Sequence, residues 1–80
     1  MSLDQLKPGE MGRVISVAGA GAIRRRLLDM GIRKGETIKM IKTAPLRDPL
    51  QISLTGGHIS IRRSEASLIQ VEIESEIFRE

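Results

Sequence analysis

Turn residues divide this chain of 80 residues into short segments, and that spacing restricts the fold more than any other feature. Leu50, Ile52 and Leu54 alternate with polar residues, which is typical of a strand with one buried face. Apolar, β-branched segments of similar length cover residues 11–18, 37–43, 58–62 and 69–74. Five short strands joined by tight turns predict a mainly β protein that closes into a small barrel.

The predicted turns connect these strands within one domain, which we assign to residues 1–80. Pro8-Gly9 fits a type II turn, because proline presets φ and glycine accepts a positive φ. Gly35 occupies the same position before the second strand. Gly56-Gly57 is predicted to be a two-residue hairpin turn between the third and fourth strands.

One short helix is predicted after the first strand. Ile23, Leu27 and Met30 are spaced i, i+4 and i+7, so they share one helix face and are predicted to pack on the barrel. Gly31 supplies the left-handed position that commonly ends a helix. This early helix favours an SH3-like barrel over an OB barrel, whose helix usually lies between the third and fourth strands.

The polar side of the helix carries three consecutive arginines, Arg24, Arg25 and Arg26. Arg25 and Asp29 lie four residues apart and are predicted to pair. Positive side chains near a helix N-terminus oppose the macrodipole, at a cost of a few tenths to about 1 kcal/mol when exposed. The arginines are therefore candidates for contact with a partner, and the alternative is a solvated helix face.

Charge is unevenly distributed along the chain. Residues 1–63 have a balance of +7, whereas residues 64–80 have a balance of −4. A basic body is compatible with binding to nucleic-acid phosphates. Base stacking, however, uses aromatic side chains, and Phe78 is the only aromatic residue. We expect no nucleic-acid partner, and phosphate-backbone binding ranks third among the functional hypotheses, ahead only of an enzyme.

Catalytic and metal-binding motifs have little support, so we expect no enzyme. The absence of cysteine excludes thiolate metal ligands and a catalytic thiol, and the single histidine, His58, lies beside a hairpin turn. Glu72, Glu74 and Glu76 would share one face of the fifth strand. His58, Glu72 and Glu74 are weak candidates for a divalent metal, and no other cofactor is expected.

No apolar segment approaches the roughly 20 residues of a membrane span, and the first residues lack a signal-peptide pattern. We expect a cytoplasmic protein that reaches a membrane only through a partner. Ile77 and Phe78 follow the fifth strand and are candidates for contact with a second copy, so a homo-oligomer stays open.

Several motifs occur together in this sequence. They are Leu6-x-Pro8-Gly9-x-x-Gly12-x-Val14, Arg25-Arg26-Leu27-Leu28-Asp29-Met30-Gly31, Gly35, Ala44-Pro45-Leu46-x-Asp48-Pro49, Gly56 and Arg62-Arg63-x-Glu65-Ala66. The combination, from about Leu3 to Glu72, closely resembles the FeoA family of small bacterial ferrous iron transport proteins. The resemblance implies an SH3-like barrel in the cytosol.

The resemblance also implies an accessory or regulatory protein that contacts the membrane GTPase permease FeoB in ferrous iron uptake. The candidate contacts are Arg24, Arg25, Arg26, Pro45, Leu46, Arg47, Asp48 and Pro49. Two positions depart from the family pattern: Arg47 stands where glycine is usual, and Lys34 replaces a proline before Gly35. The alternative function is a transition-metal-binding or metal-sensing SH3-like module.

Overall fold

The computed structural model describes residues 1–74, which form one antiparallel β-sheet, one helix of nine residues and two shorter helical turns. The strands are β1 (Met11–Val17), β2 (Thr37–Thr43), β3 (Leu50–Leu54), β4 (Gly57–Ile61) and β5 (Ile69–Ile73). Helix α1 (Gly21–Asp29) follows β1, a 3₁₀ turn covers Leu3–Gln5, and α2 (Arg63–Ala66) links β4 to β5. The mainly β fold with one early helix is confirmed.

The sheet has the strand order β4-β3-β2-β1-β5. Strands β1 to β4 follow one another as antiparallel neighbours, and β5 returns to pair with β1. The register shifts between Val14 and Ser16 in β1 and between Met40 and Lys42 in β2. Irregularities of this kind bend strands and increase their twist, which lets so short a sheet curl around its core.

The core contains the inward side chains of the sheet together with residues from the helical turns and loops. Its buried members are Leu3, Leu6, Val14, Leu27, Ile32, Ile38, Met40, Leu50, Ile52, Ile61, Ala66, Ile69 and Val71. A Cβ at Gly12 would lie 3.0 Å from the Cβ of Val71, so the close approach of β1 and β5 requires glycine there. Ile73 is spaced to share a strand face with Ile69 and Val71 but is 45% exposed, and it lies at the end of β5, where it pairs with Gly12.

Helix α1 contributes less to the core than its apolar spacing predicts. Leu27 is fully buried and Met30 packs against the core, but Ile23 is 51% exposed. Ile23 lies in the first turn of α1, before the helix reaches the core. The predicted pair between Arg25 and Asp29 is also absent from residues 1–74. Gly31 has φ +94° and follows the helix as predicted.

The turns agree with the sequence except at the β3–β4 hairpin. Gly9 and Gly35 have φ values of +93° and +95°, as the two predicted turns require. Leu54 pairs with Gly57, so the two-residue turn consists of Thr55 and Gly56, and the predicted Gly56-Gly57 turn is wrong by one residue. Glycine is still needed at position 57, where φ is +133°.

Two further expectations concern the C-terminal residues and a membrane-spanning helix. Glu76, Ile77 and Phe78 lie outside the described residues. Within residues 1–74, no helix has the length and apolar character needed to cross a bilayer.

Candidate functional site

The loop at residues 44–49 is held by hydrogen bonds within the loop and by hydrogen bonds from Arg63 of α2. The N–H of Ala44 donates to the carbonyl of Pro49 at 3.0 Å, and the N–H of Arg47 donates to the carbonyl of Ala44 at 2.7 Å. Arg63 then donates its Nε to the Arg47 carbonyl at 2.7 Å and its N–H to Oδ1 of Asp48 at 2.9 Å. The loop is therefore held in one shape by α2, which suits a surface that binds a partner.

Leu46 lies at the tip of this anchored loop. Its side chain is 89% exposed, the largest exposure among the large apolar residues described. Pro45 and Arg47 beside it are also exposed. An apolar side chain presented by a fixed loop offers contact area to a partner at a low cost in conformational entropy.

Arg47 adopts a backbone conformation that favours glycine, with φ +69°. We expect Arg47→Gly to raise the free energy of unfolding by roughly 0.5–1 kcal/mol. Relief of about 1–2 kcal/mol from the left-handed conformation exceeds the cost of about 0.5–1 kcal/mol for the freer unfolded chain. Urea unfolding measures the difference. Arg47→Ala keeps the Cβ and serves as the control; an Arg47→Gly variant less stable than this control contradicts the strain argument.

The three arginines of α1 have different surroundings. Arg24 donates its Nε to the carbonyl of Val17 at 3.2 Å, and Arg26 forms an ion pair with Glu65 at 2.5 Å. Arg25 is exposed and forms no hydrogen bond or ion pair through its side chain with residues 1–74. Two of these side chains thus stabilise the position of α1, and Arg25 is available to a partner.

Glu65 is a buried carboxylate that joins α1 to α2, with 7% of the residue exposed. One oxygen accepts the N–H of Arg62 at 3.0 Å and the other accepts the Arg26 guanidinium. The sequence motif contained Glu65 but did not indicate this role. In a capping box, a glutamate lies three residues after the N-cap residue and accepts a hydrogen bond from the N-cap N–H. The spacing of Arg62 and Glu65 is the signal that could have revealed the contact between them.

A cavity of about 400 Å³ lies where α1, the loop and β4 meet. Its lining residues are Arg26, Asp48, Pro49, Ser60, Ile61, Arg62 and Glu65. The structure therefore brings together one candidate from the helix and two from the loop, while Arg24, Arg25, Pro45, Leu46 and Arg47 do not line it. Chemically, the cavity offers two guanidinium groups, two carboxylates and a hydroxyl beside the apolar surface of Pro49.

The weak metal candidates are not brought together. His58 lies on β4 and Glu72 on β5, the two outermost strands of the sheet. The Glu74 carboxylate accepts hydrogen bonds from Arg13 at 2.8 Å and from Thr37 at 3.0 Å, and these bonds hold the pKa of Glu74 below its usual value. Residues 1–74 contain no group of three or more His, Asp or Glu that could hold a metal ion.

The fold and the site together define a small SH3-like barrel with a charged cavity beside an anchored loop. The sequence matches the model of the FeoA domain over residues 1–73. The chain belongs to the FeoA family.

Relatives and solved structures agree with this assignment. A fusion of Fe(2+) transport protein A with the Fe(2+) transporter FeoB, from Porphyromonas gingivalis, is 39% identical over 75 residues. The match covers 94% of this chain and 9% of the fusion protein, so this chain spans a small part of that relative's length. The FeoA protein of Chlorobium tepidum is 41% identical with a TM-score of 0.86, covering 94% of this chain and 71% of that one.

A zinc complex of FeoA from Stenotrophomonas maltophilia, described as a prokaryotic SH3 domain protein, is 32% identical with a TM-score of 0.79. That match covers 90% of this chain and 89% of the other. The fold assignment therefore agrees with the SH3-like barrel predicted from the sequence.

Proposed function

We propose that this protein is an accessory protein of ferrous iron uptake that acts by direct contact with a FeoB-type membrane GTPase permease. The Porphyromonas gingivalis relative carries the proposal, because one polypeptide there joins Fe(2+) transport protein A to FeoB. Linking two proteins raises their effective concentration for each other, an advantage for proteins that act together. The present chain would make the same contact with a FeoB-type permease.

The surface features of the candidate site support a protein partner. Leu46 and Arg25 are exposed, and the loop that carries Leu46 is fixed by Arg63. Protein interfaces combine apolar anchors with charged groups at the rim. We assign Leu46 as the anchor and Arg25 as a rim charge, with the cavity beside Arg26 as a second contact area.

Calorimetry with the purified cytosolic region of the FeoB-type permease, with and without guanine nucleotide, tests this proposal. We expect wild-type protein to bind and Arg25→Glu to bind about three- to tenfold more weakly, because reversing a rim charge slows association. The loss should shrink as salt is added, since exposed charges are screened.

The matched control is Lys39→Glu, which makes the same charge change at an exposed position on the outer face of β2. It should bind as the wild type does. Equal loss in both variants would show that net charge, and not the position of Arg25, determines affinity. No binding in either nucleotide state would overturn the proposal.

A further inference from the structure

The two outermost strands of the sheet differ in how their outer edges are paired. On β5, the N–H of Val71 donates to the carbonyl of Met1 at 2.7 Å, and the Met1 ammonium donates to the carbonyl of Val71 at 3.3 Å. Ser2 forms a further bridge to Gln70. Within residues 1–74, no segment pairs with the outer edge of β4. An open edge of this kind can accept another strand.

The hairpin register identifies the backbone groups on the open edge. Leu54 and Gly57 close the two-residue turn, and a closing pair of this type exchanges hydrogen bonds within the hairpin. Bonding then alternates along the strands, so the N–H and C=O groups of His58 and Ser60 point away from β3. Neither residue forms a backbone hydrogen bond outside the hairpin to the rest of residues 1–74.

Helix α1 lies opposite this edge. Arg26 shares the cavity of about 400 Å³ with Ser60 and Ile61. A second cavity, of about 230 Å³, touches the other end of β4 and the residues just after α1. It is lined in part by Met30, Gly31, Gly57, His58 and Ile59. The two cavities thus follow one another along β4, with α1 and the residues just after it on the opposite wall.

We propose that an extended segment of the protein partner adds to β4 as a further strand, in the groove between β4 and α1. This inference rests on the proposed function and specifies how the contact is made. An open strand edge that faces a helix suits peptide recognition by strand addition. The main chain of the added segment supplies affinity, and cavities beside the strand select its side chains.

The charge beside the Ser60 end of β4 indicates an acidic segment. Arg26 of α1 and Arg62 line the first cavity, whereas the acid Glu36 lines the second cavity at the other end of the strand. Arg62 is exposed and its side chain has no ion-pair partner within residues 1–74. The acids in the first cavity, Glu65 and Asp48, already accept hydrogen bonds from this chain. The added strand would therefore place an acidic side chain beside Arg62.

The test measures binding of the permease's cytosolic region to ¹⁵N-labelled protein. Ser60→Pro removes the outward N–H, and proline is tolerated on an edge strand when its nitrogen faces away from the sheet. We expect this variant to bind at least about fivefold more weakly, as the loss of one main-chain hydrogen bond implies. Ser60→Ala keeps the N–H and should bind within about twofold of the wild type.

Amide hydrogen exchange on the wild-type complex provides a readout that does not depend on the variant's folding. Protection of His58 and Ser60 on binding would support strand addition. Strand addition to β4 would be overturned if binding protected only the loop at residues 44–49, or if Ser60→Pro bound as the wild type does. Either result would leave the proposed function in place. Failure of the wild type to bind at all would overturn both.

Discussion

Replacing Leu27 with alanine is expected to lower the free energy of unfolding by about 3 kcal/mol, within the usual range for a fully buried leucine. Of the nine residues of α1, Leu27 alone is buried. Its loss leaves a cavity under the helix and removes the main apolar contact that holds α1 to the barrel. A domain of this size has a total stability of roughly 4–12 kcal/mol, so the effect is a large fraction of the whole.

Urea unfolding followed by circular dichroism measures this change. The control is Ile23→Ala, because the sequence gives Ile23 and Leu27 the same role on one helix face. Since Ile23 is half exposed, its truncation should cost no more than about 0.5 kcal/mol. Similar losses in the two variants would show that Ile23 is buried in solution and that α1 docks differently.

Replacing Glu65 with alanine is expected to lower the free energy of unfolding by about 2 kcal/mol, chiefly through the unsatisfied N–H of Arg62. The ion pair itself contributes less. The Arg26 side chain is 58% exposed, so solvent screens its attraction to the carboxylate. The hydrogen bond to the Arg62 N–H therefore contributes more to the stability of buried Glu65 than its ion pair with Arg26 does.

Two further variants separate these contributions. Glu65→Gln keeps an acceptor for the Arg62 N–H and should lose only about half as much stability as Glu65→Ala. Glu72→Ala changes an exposed acid on β5 and should be nearly neutral. A Glu65→Ala variant as stable as Glu72→Ala would contradict the assigned role, and a Glu65→Gln variant as unstable as Glu65→Ala would assign the stability to the charge.

Local patterns in the sequence account well for the strands. The predicted span of the second strand, residues 37–43, coincides with β2, and the alternating residues Leu50, Ile52 and Leu54 all lie in β3. Alternation and turn residues act over a few positions, so they can be read without knowledge of the tertiary fold. The error at Ile23 has the opposite origin, because the exposure of this side chain depends on where α1 meets the core.

The candidate site could be predicted only in part. Arg26, Asp48 and Pro49 were named from the sequence and do line one cavity. The burial of Glu65 and the anchoring role of Arg63 depend on partners 39 and 16 residues away, which no local pattern reveals. The strand order makes β4 and β5 the outermost strands, and the pairing of Met1 with Val71 covers the edge of β5 and leaves that of β4 open. Both features are long-range, so no local pattern predicts them.

The weak attachment of α1 also determines where a protease can cut the folded chain. Three consecutive arginines, all targets of trypsin, lie in a helix that buries one side chain. Cleavage there requires local unfolding of α1 alone, whereas cleavage within the sheet requires the barrel to open. The rate of cutting at Arg24 to Arg26 in native conditions therefore reports how often α1 detaches, and a partner seated against the helix would slow it.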